Sequence, residues 1–394
     1  MDIRWPAVAS ESVQWRSRLS PDVVTRRAWE EMQLPYQASI VPEIGGASLR
    51  LPDAVAAEAG DAAQALVRFD EQVGHVNAPF ASLLLRSESA SSSQIENLTS
   101  GARAIAEAEI GERSTGNAAL ILSNVTAMQA ALDLADHLDD DSVIAMQRAL
   151  LGQSRPDITG AYRDEQVWIG GSDHSPHRAS FVPPVAERVP AAMRDLLRFT
   201  ARTDLAVLPF IAVAHAQFET IHPFVDGNGR TGRALVQSLL RHTGVTRHVS
   251  VPLSAGLLQQ RDRYFEALSR YREGDIVPVV EVFCSAAFAA VGNGRQLADD
   301  IADVRDRWLE QLSTVRRGST AHRLVDLALE HPVLNSRVVE QRLGVPAKTA
   351  LAALTRLQDA GVLAPGNSRA RNRIWVAPLV IAALDAFAAR SVRR

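Results

Sequence analysis

Apolar side chains recur every three to four residues along most of the chain from Pro52 to Val291. That period places them on one face of an α-helix, and the strand-like alternation of apolar and polar residues is rare between these segments. The sequence therefore predicts a mainly α-helical bundle, with helices at residues 53–70, 97–110, 116–138, 141–151, 190–200, 204–220, 230–242, 256–272 and 276–292.

Length and composition indicate an ordinary globular protein. The 394 residues, of which 46% are hydrophobic, are enough for two or three domains with a sizeable core. The first fifteen residues lack the apolar run of a signal peptide, and the longest apolar stretch, residues 205–216, is too short to cross a membrane. We therefore expect a cytoplasmic protein without membrane contact. The single cysteine, Cys284, excludes an internal disulfide and is predicted to be a buried core residue.

Two regions depart from the helical pattern. The first fifty residues show no clear period, which predicts an irregular arm with one or two short helices. Two β-prone runs, at residues 166–173 and 178–184, lie on either side of a turn rich in serine, histidine and proline. We predict a β-hairpin at about residues 165–183, with a long surface loop as the alternative.

The end of the chain has the element order of a winged helix-turn-helix domain. Helices are predicted at residues 321–330, 335–343 and 347–360, and a strand pair that includes residues 373–376 follows them. A charged helix at about residues 297–314 precedes this module. Residues 316–394 carry 13 Lys/Arg and 5 Asp/Glu, hence +8, although the whole chain has a formal charge of −3. The basic end favours an acidic partner.

The segment HPFVDGNGRTGR, residues 222–233, concentrates glycine and charged residues where one helix ends and another begins. The preceding helix cannot continue through Pro223, and a new apolar period begins at Arg230. Residues 222–229 are therefore predicted to form a loop that leads into a helix N-terminus. Such an end presents backbone N–H groups and the positive pole of the helix dipole, so it can bind an anion.

The glycines and arginines of this loop suit a polyphosphate. Gly227 and Gly229 allow the backbone to approach an anion closely or to adopt positive φ, and Asn228 between them can donate its amide. Arg230 and Arg233 lie three residues apart on the first helical turn. Their planar guanidinium groups add donors that match phosphate oxygens.

An acid and a base lie beside the same loop. Asp226 would repel a phosphate unless a divalent cation bridged the two, which is how Mg²⁺ usually binds nucleotides. His222 titrates near neutral pH and can take a proton from a nucleophile aimed at the phosphate. The loop lacks the GxxxxGK[ST] pattern of a P-loop, so it is a different kind of phosphate site.

The twelve residues 222–233 resemble, at every defined position, the signature HPFx[D/E]GNGRxxR of the Fic family. Segments at residues 160–184, 215–221 and 264–275 also resemble the core of that family, and the resemblance covers roughly residues 30–290. It implies a Fic-type helical bundle with a β-hairpin flap, followed by the small winged helix-turn-helix domain. Most members of this family transfer AMP from ATP to a hydroxyl group of a target protein.

The resemblance also implies roles for individual residues, with ATP as substrate and Mg²⁺ as cofactor. His222 is then the general base and Asp226 the metal ligand. Arg272 stands where some relatives carry asparagine, which leaves open which nucleotide base the site selects. The nucleotide-binding residues are Gly227, Asn228, Gly229, Arg230 and Arg233 for the phosphates, and Tyr264, Phe265 and Leu268 for the base.

The predicted hairpin resembles the flap of that family, which docks a segment of the target protein by strand addition. We name residues 165–183 the flap segment. Its unpaired edge would supply backbone hydrogen bonds that tolerate many target sequences. The docking residues that the resemblance implies are Val167, Trp168, Ile169 and Gly170.

A second motif precedes the main one. Taken alone, Ser93 predicts the N-cap of a helix, and Glu96 three residues later completes a capping box. Ser92, Glu96 and Asn97 also fit the inhibitory signature [S/T]xxxE[G/N] of the Fic family, whose glutamate pairs with the second motif arginine, here Arg233. The resemblance implies an autoinhibited enzyme, and some such relatives also remove AMP with this glutamate.

Three functions compete. The first is an autoinhibited protein AMP transferase, the second is a DNA-binding regulator with a nucleotide-sensing Fic core, and the third is a Fic enzyme that transfers another phosphate-containing group. In the C-terminal domain Lys348, Thr349, Arg356 and Arg371 would contact DNA or, alternatively, a protein or a second copy in a homodimer. The predicted domains are residues 1–115 (arm and inhibitory helix at about 92–109), 116–295 (Fic core), 296–320 (helix and linker) and 321–394 (winged helix).

Overall fold

The computed structural model describes residues 5–17, 19–74, 79–369 and 371–392. The chain forms two compact units, and each is built from three separate stretches of sequence. The domains expected from the sequence are contiguous segments of the chain. Their boundaries stay a prediction. The first unit contains residues 1–60, 130–242 and 262–283, and the second contains residues 61–129, 243–261 and 284–394.

The described residues are mostly helical, as the apolar period predicts. In chain order the elements are β1 (Ala9–Gln14), α1 (Arg26–Met32), β2 (Pro35–Ile40), α2 (Asp53–Gly74), α3 (Pro79–Ile95), α4 (Ala102–Glu109), α5 (Asn117–Asp133), α6 (Asp140–Leu151), α7 (Val189–Thr200), α8 (Val207–Ile221), α9 (Asn228–His242), α10 (Leu253–Gln259), α11 (Arg261–Arg272), α12 (Val277–Gln311), α13 (Thr320–Glu330), β3 (Val333–Leu334), α14 (Ser336–Leu343), α15 (Ala347–Asp359), β4 (Ala364–Pro365), β5 (Trp375–Val376) and α16 (Pro378–Val392).

The first unit has α8 at its centre. Every residue of α8 from Leu208 to Ile221 is buried, which fits its nearly continuous apolar sequence. Helices α7 and α9 pack against α8, and α6 packs against α9. Helix α9 comes very close to α8 at Gly232, where an added Cβ would lie 2.7 Å from Glu219 Oε1 and 2.9 Å from Phe218 Cδ1. Glycine at this position therefore sets the distance between the two helices that border the motif loop.

The irregular arm predicted for the first fifty residues is wrong in one respect. Strands β1 and β2 form an antiparallel ladder in which Ala9 pairs with Ile40 and Gln14 pairs with Pro35. The two strands are separated by residues 15–34, which include α1. Their pairing is therefore not local, and neither strand alone shows enough alternation to be recognised.

The second unit joins α3 to the C-terminal part of the chain. Helix α3 packs against α10, α13 and α16, and α13, α14 and α15 pack on one another. Strands β3, β5 and β4 form a small antiparallel sheet in that order. Helices α13, α14 and α15 and the strand pair β4 and β5 match the prediction, whereas β3 and α16 are additional to it.

Other differences concern where helices begin and end. The two helices predicted at residues 276–292 and 297–314 are one helix, α12, in which Gly294 faces Phe69 with no room for a Cβ. This glycine serves close packing and does not break the helix. Among the described residues, α12 is the one helix long and apolar enough to cross a membrane, but 61% of its most apolar stretch is buried within the protein. Cys284 in this helix is fully buried, as predicted.

Candidate active site

The motif loop begins where α8 ends, at His222. This residue has left-handed backbone angles, φ 51° and ψ 62°, and its N–H donates to the carbonyl of Phe218 at 2.9 Å. A left-handed residue after the last helical turn is a common way to end a helix, and histidine tolerates it better than a β-branched residue would. The backbone conformation thus ends α8 and makes His222 the first residue of the loop.

The loop is held by Asn228, the first residue of α9. Its Oδ1 accepts from the N–H of Phe224 at 2.9 Å, and its Nδ2 donates to the carbonyl of Phe224 at 2.8 Å. Asn228 was predicted to donate to phosphate; here its side chain first fixes the loop, and one amide hydrogen is left for a ligand. Gly227 has φ 81°, and an added Cβ would lie 2.9 Å from Leu150 Cδ2. Gly229 lies instead within the first turn of α9.

The charged residues of the motif lie together at the start of α9. Arg230 and Arg233 are almost fully buried, at 5% and 3% exposure, whereas the Asp226 side chain is half exposed. Arg230 Nη2 lies 3.8 Å from Asp226 Oδ1, and the same carboxylate oxygen accepts from the N–H of Gly227 at 2.6 Å. Two buried guanidinium groups at a helix N-terminus suit an anionic ligand, and their binding of phosphate stays a prediction.

Asp226 fits the predicted magnesium ligand in chemistry and exposure. In the part of the chain that the structure describes, no group of three His, Cys, Asp or Glu side chains is arranged to hold a metal ion. A lone half-exposed carboxylate beside a phosphate site is still the usual Mg²⁺ arrangement, because phosphate oxygens and water complete the octahedral shell.

The imidazole of His222 is suited to accept a proton. Burial, followed by the positive charge of Arg163, lowers the pKa of His222 to about 3, so the ring is neutral at pH 7. Its Nδ1 is buried and has no hydrogen-bond partner among the described residues. His215, about two helical turns earlier, has a similarly low pKa, but it is fully enclosed and its Nε2 lies 2.7 Å from the hydroxyl of Tyr264. His215 lies within α8 beside Gly232, whereas His222 is itself the first residue of the motif loop.

The residues predicted to line the base pocket lie on α11, in different environments. Tyr264 and Leu268 are buried, and the Tyr264 hydroxyl faces His215 in the core of the unit. Phe265 is 44% exposed and its ring lies 5.2 Å from that of Tyr264. Of the three, Phe265 therefore presents the most surface to a ligand.

The flap segment folds back on itself but contains no regular strand among its described residues. Ile169 pairs with Phe181 in an antiparallel bridge, with N–H to carbonyl distances of 2.9 and 3.3 Å. Gly170 follows in the left-handed region with φ 72°, which a turn at this point requires. Val167, Trp168 and Ile169 are half-buried. A second antiparallel bridge joins Ser172 and Ser175. The predicted hairpin thus exists as two isolated bridges and a turn, without the regular strands that the sequence suggests.

The N-terminal strands support the flap segment. Both the N–H and the hydroxyl of Ser39 in β2 donate to the carbonyl of Val182, and the hydroxyl of Tyr36 donates to Gln166 Oε1 at 3.1 Å. The ring of Trp15 meets the edge of Trp168 at 5.5 Å. These contacts hold the second limb of the flap segment against β2. Residues before the Fic-like region therefore help to shape the predicted docking surface.

Two basic residues near the loop had no role in the sequence prediction of the catalytic groups. Arg163 is 4% exposed and donates through Nε to the carbonyl of His222 at 2.9 Å. Arg272 lies with its guanidinium 3.6 Å from the ring centroid of Phe181, a cation–π contact. The sequence signal for Arg163 is that it lies shortly before the first β-prone run. Its contacts with His222 and Pro184, which are distant in sequence, could not be predicted from that position.

The predicted inhibitory residues lie in the second unit, and the capping box is wrong. Ser92 and Ser93 belong to the last turn of α3, and the Ser93 hydroxyl donates to the carbonyl of Ser89 at 2.9 Å. Glu96 and Asn97 follow the helix in a turn, with Asn97 at φ 63° and its Oδ1 accepting from Arg261 Nη1 at 3.0 Å. The single helix predicted at about residues 92–109 is accordingly two helices, α3 and α4. A serine-rich helix end has the same composition as a helix start, which explains the error.

Comparisons with known proteins agree with this site. Residues 137–240 match the Fic/DOC family, a range that contains the whole motif loop. A protein adenylyltransferase Fic from Nematostella vectensis is 34% identical over 140 residues, covering 36% of this chain and 30% of the relative. The protein of the same name from Drosophila willistoni is 34% identical over 138 residues, covering 35% and 25%. The matched part is thus less than a third of either relative's length.

The fold comparison extends further along the chain. The crystal structure of a Fic family protein from Desulfovibrio desulfuricans G20 aligns with 84% of this chain and 97% of its own, with a TM-score of 0.53 and 21% identity. The predicted Fic-type fold is therefore confirmed. Residues 137–240 form a Fic domain, and the resemblance seen in the motif is correct for this part of the chain.

Proposed function

We propose that this chain is a protein adenylyltransferase, which moves AMP from ATP to a hydroxyl side chain of a target protein or of itself. The observation that carries the proposal is a neutral imidazole at the end of α8 beside two buried arginines at the start of α9. The relatives that match the Fic domain are named protein adenylyltransferases, which supports the same activity.

The chemistry assigned to these residues is a displacement at phosphorus. The target hydroxyl oxygen attacks the α-phosphate, His222 takes the hydroxyl proton, and the bond between the α-phosphate and pyrophosphate breaks. Arg230 and Arg233 hold the β- and γ-phosphates, and the N-terminus of α9 stabilises the charge that develops on the transferred group. Bound Mg²⁺, held by Asp226, would neutralise charge on the phosphates. Most of the rate gain then comes from positioning and electrostatics.

Labelled ATP distinguishes AMP transfer from the competing reactions. We expect label from [α-³²P]ATP to become covalently attached to protein, and no label from [γ-³²P]ATP. Both nucleotides are tested with the wild type and with Glu96→Gly, and EDTA in place of Mg²⁺ is the control. Retention of the γ-label would indicate phosphate transfer, and labelling by [α-³²P]UTP in preference to ATP would indicate UMP transfer. Either result contradicts the proposal.

The same proposal includes autoinhibition by Glu96. Its support is the fit of Ser92, Glu96 and Asn97 to the family signature, together with the way the structure fixes this segment. Ser92 is fully buried, and Asn97 is held by Arg261. A carboxylate paired with Arg233 would neutralise the donor meant for the γ-phosphate and favour unproductive ATP binding. Removal of AMP by the same glutamate is a further activity that this arrangement allows.

A second candidate function, DNA binding, is favoured by the surface of α15. Ala350, Ala353, Leu354 and Leu357 are buried, while Lys348, Thr349 and Arg356 are exposed on the opposite face. Arg369, Arg371 and Arg373, near β5, are exposed as well. Residues 331–376 carry seven Lys/Arg and two Asp/Glu. A helix with an exposed basic face beside basic residues of a small sheet suits a phosphate backbone.

Salt dependence tests this surface. We expect the full chain to bind a labelled DNA duplex in fluorescence anisotropy, with the logarithm of the binding constant falling linearly with the logarithm of salt concentration. The double variant Lys348→Ala, Arg356→Ala should flatten that slope by about two, roughly one for each lost phosphate contact. Arg26→Ala, which removes a basic side chain that is 92% exposed in the first unit, is the control. An unchanged slope, or self-association through α15 without DNA binding, would favour a protein contact or homodimer.

A further inference from the structure

We propose that Arg163 is a positioning residue that fixes the flap segment to the catalytic base, so that a docked target hydroxyl is presented in register with His222. The inference rests on the proposed transfer reaction and on the docking role of the flap segment. What carries it is one buried guanidinium group that contacts the chain at three separate places.

The contacts of Arg163 connect both ends of the flap segment to the motif loop. Its Nε donates to the carbonyl of His222 at 2.9 Å, its Nη1 to the carbonyl of Glu165 at 2.8 Å and its Nη2 to the carbonyl of Pro184 at 2.6 Å. The backbone N–H of Arg163 also donates to the carbonyl of Pro223 at 2.9 Å. Glu165 begins the flap segment and Pro184 follows its last residue, so the two limbs and the base share one anchor.

Only arginine can make this set of contacts. Its three nitrogens lie in one plane and point in three directions, so a single side chain reaches three carbonyls. The ammonium group of lysine keeps the charge but concentrates its donors at one atom. Arg163 is 4% exposed, and loss of a donor would leave a buried carbonyl without its partner. The flap segment could then shift against His222 while the fold persists.

The charge of Arg163 has a second consequence for the base. Burial lowers the pKa of His222 most; the positive charges of Arg163 and Arg272 lower it further, and the backbone carbonyl of Glu219 raises it. A base works only when unprotonated, so transfer is present above the pKa of His222 and is lost as pH falls through it. With a pKa of about 3, the acid limb of kcat/KM should lie well below the ordinary histidine value of 6.5.

Two substitutions separate geometry from charge. We expect Arg163→Lys to lower kcat/KM for a target protein on the order of tenfold, less than the roughly hundredfold that a full ångström of misplacement can cause, with the acid limb unchanged. Arg163→Gln should lower it as well and also move the acid limb toward pH 6.5, because the charge is gone. Binding of Mg-ATP, measured by calorimetry, should stay within about twofold in both variants, because the hydrogen bonds of Arg163 go to backbone carbonyls of residues 165, 184, 222 and 223, outside the predicted phosphate-binding residues.

The control is the same change at another arginine of the first unit, Arg202→Lys. Arg202 is half-buried, and its side chain also donates to a backbone carbonyl, the carbonyl of Ala47. A purely structural role would lower the melting temperature and ATP binding together, without moving the pH profile. Transfer by Arg163→Lys equal to wild type would overturn the inference. If no variant, including wild type and Glu96→Gly, transfers AMP, the proposed function fails instead. The pKa of His222 by NMR would then still test the Arg163 contact: it should rise in Arg163→Gln only, and an unchanged value would overturn that part.

Discussion

Replacing His222 by alanine should abolish measurable AMP transfer while leaving ATP binding intact. General acid–base catalysis contributes about 10²–10⁴-fold to a rate, and His222 is the histidine at which the motif loop begins. His215 is enclosed in the core and its Nε2 faces Tyr264, so it cannot take over the role. The measurements are incorporation of label from [α-³²P]ATP in the Glu96→Gly background and ATP affinity by calorimetry.

The backbone at His222 decides which variants are informative. At φ 51° alanine is strained, whereas asparagine adopts the left-handed region more readily. His222→Asn should therefore keep the loop and still lose transfer, and His137→Ala, which removes an exposed histidine of the same unit, should change neither property. Retained transfer in both His222 variants would remove the base from this position. Loss of ATP binding in His222→Ala alone would point to a displaced loop.

The local part of the site could be predicted from the sequence, because its logic lies within twelve residues. Proline ends one helix, glycine supplies positive φ, and two arginines three apart share a helical face; the structure has each of these at residues 222–233. Two hydrogen bonds could not be predicted from the sequence, that of the Asn228 side chain to the carbonyl of Phe224 and that of the Arg163 side chain to the carbonyl of His222. Asn228 has an obvious ligand-binding role that conceals its local one, and His222 lies 59 residues after Arg163 in the sequence.

The fold shows the same division between local and distant information. Helices with a strong apolar period, such as α6 and α7, were placed within one or two residues of their observed ends. Helix α3 was missed because its last turn is rich in serine, which favours helix termini of either kind. The β1–β2 ladder was missed because its strands pair across residues 15–34. In each case packing against distant residues overrode a weak local preference.

Replacing Glu96 by glycine should raise auto-modification by about tenfold to a hundredfold. The size of this gain follows from the proposed switch, because a charge-assisted hydrogen bond made by an inhibitory carboxylate is worth about 1.5–3 kcal/mol, at roughly 1.4 kcal/mol per factor of ten. Because Glu96 lies in a turn after α3, glycine should be tolerated there without unfolding the helix. Glu96→Gln, which removes the charge and keeps the size, should give an intermediate increase.

The control for Glu96 is Glu43→Gly, the same change in an exposed loop of the first unit. Initial rates of labelling from [α-³²P]ATP, at matched protein concentration and with urea unfolding curves for each protein, separate derepression from loosening of the fold. If inhibition depends on the placement of Glu96, then Arg261→Ala, which frees the Asn97 side chain, should also raise the rate, though less than Glu96→Gly. Equal rates for wild type and Glu96→Gly would rule out the switch, and a rise in Glu43→Gly of the same size would assign the effect to general destabilisation.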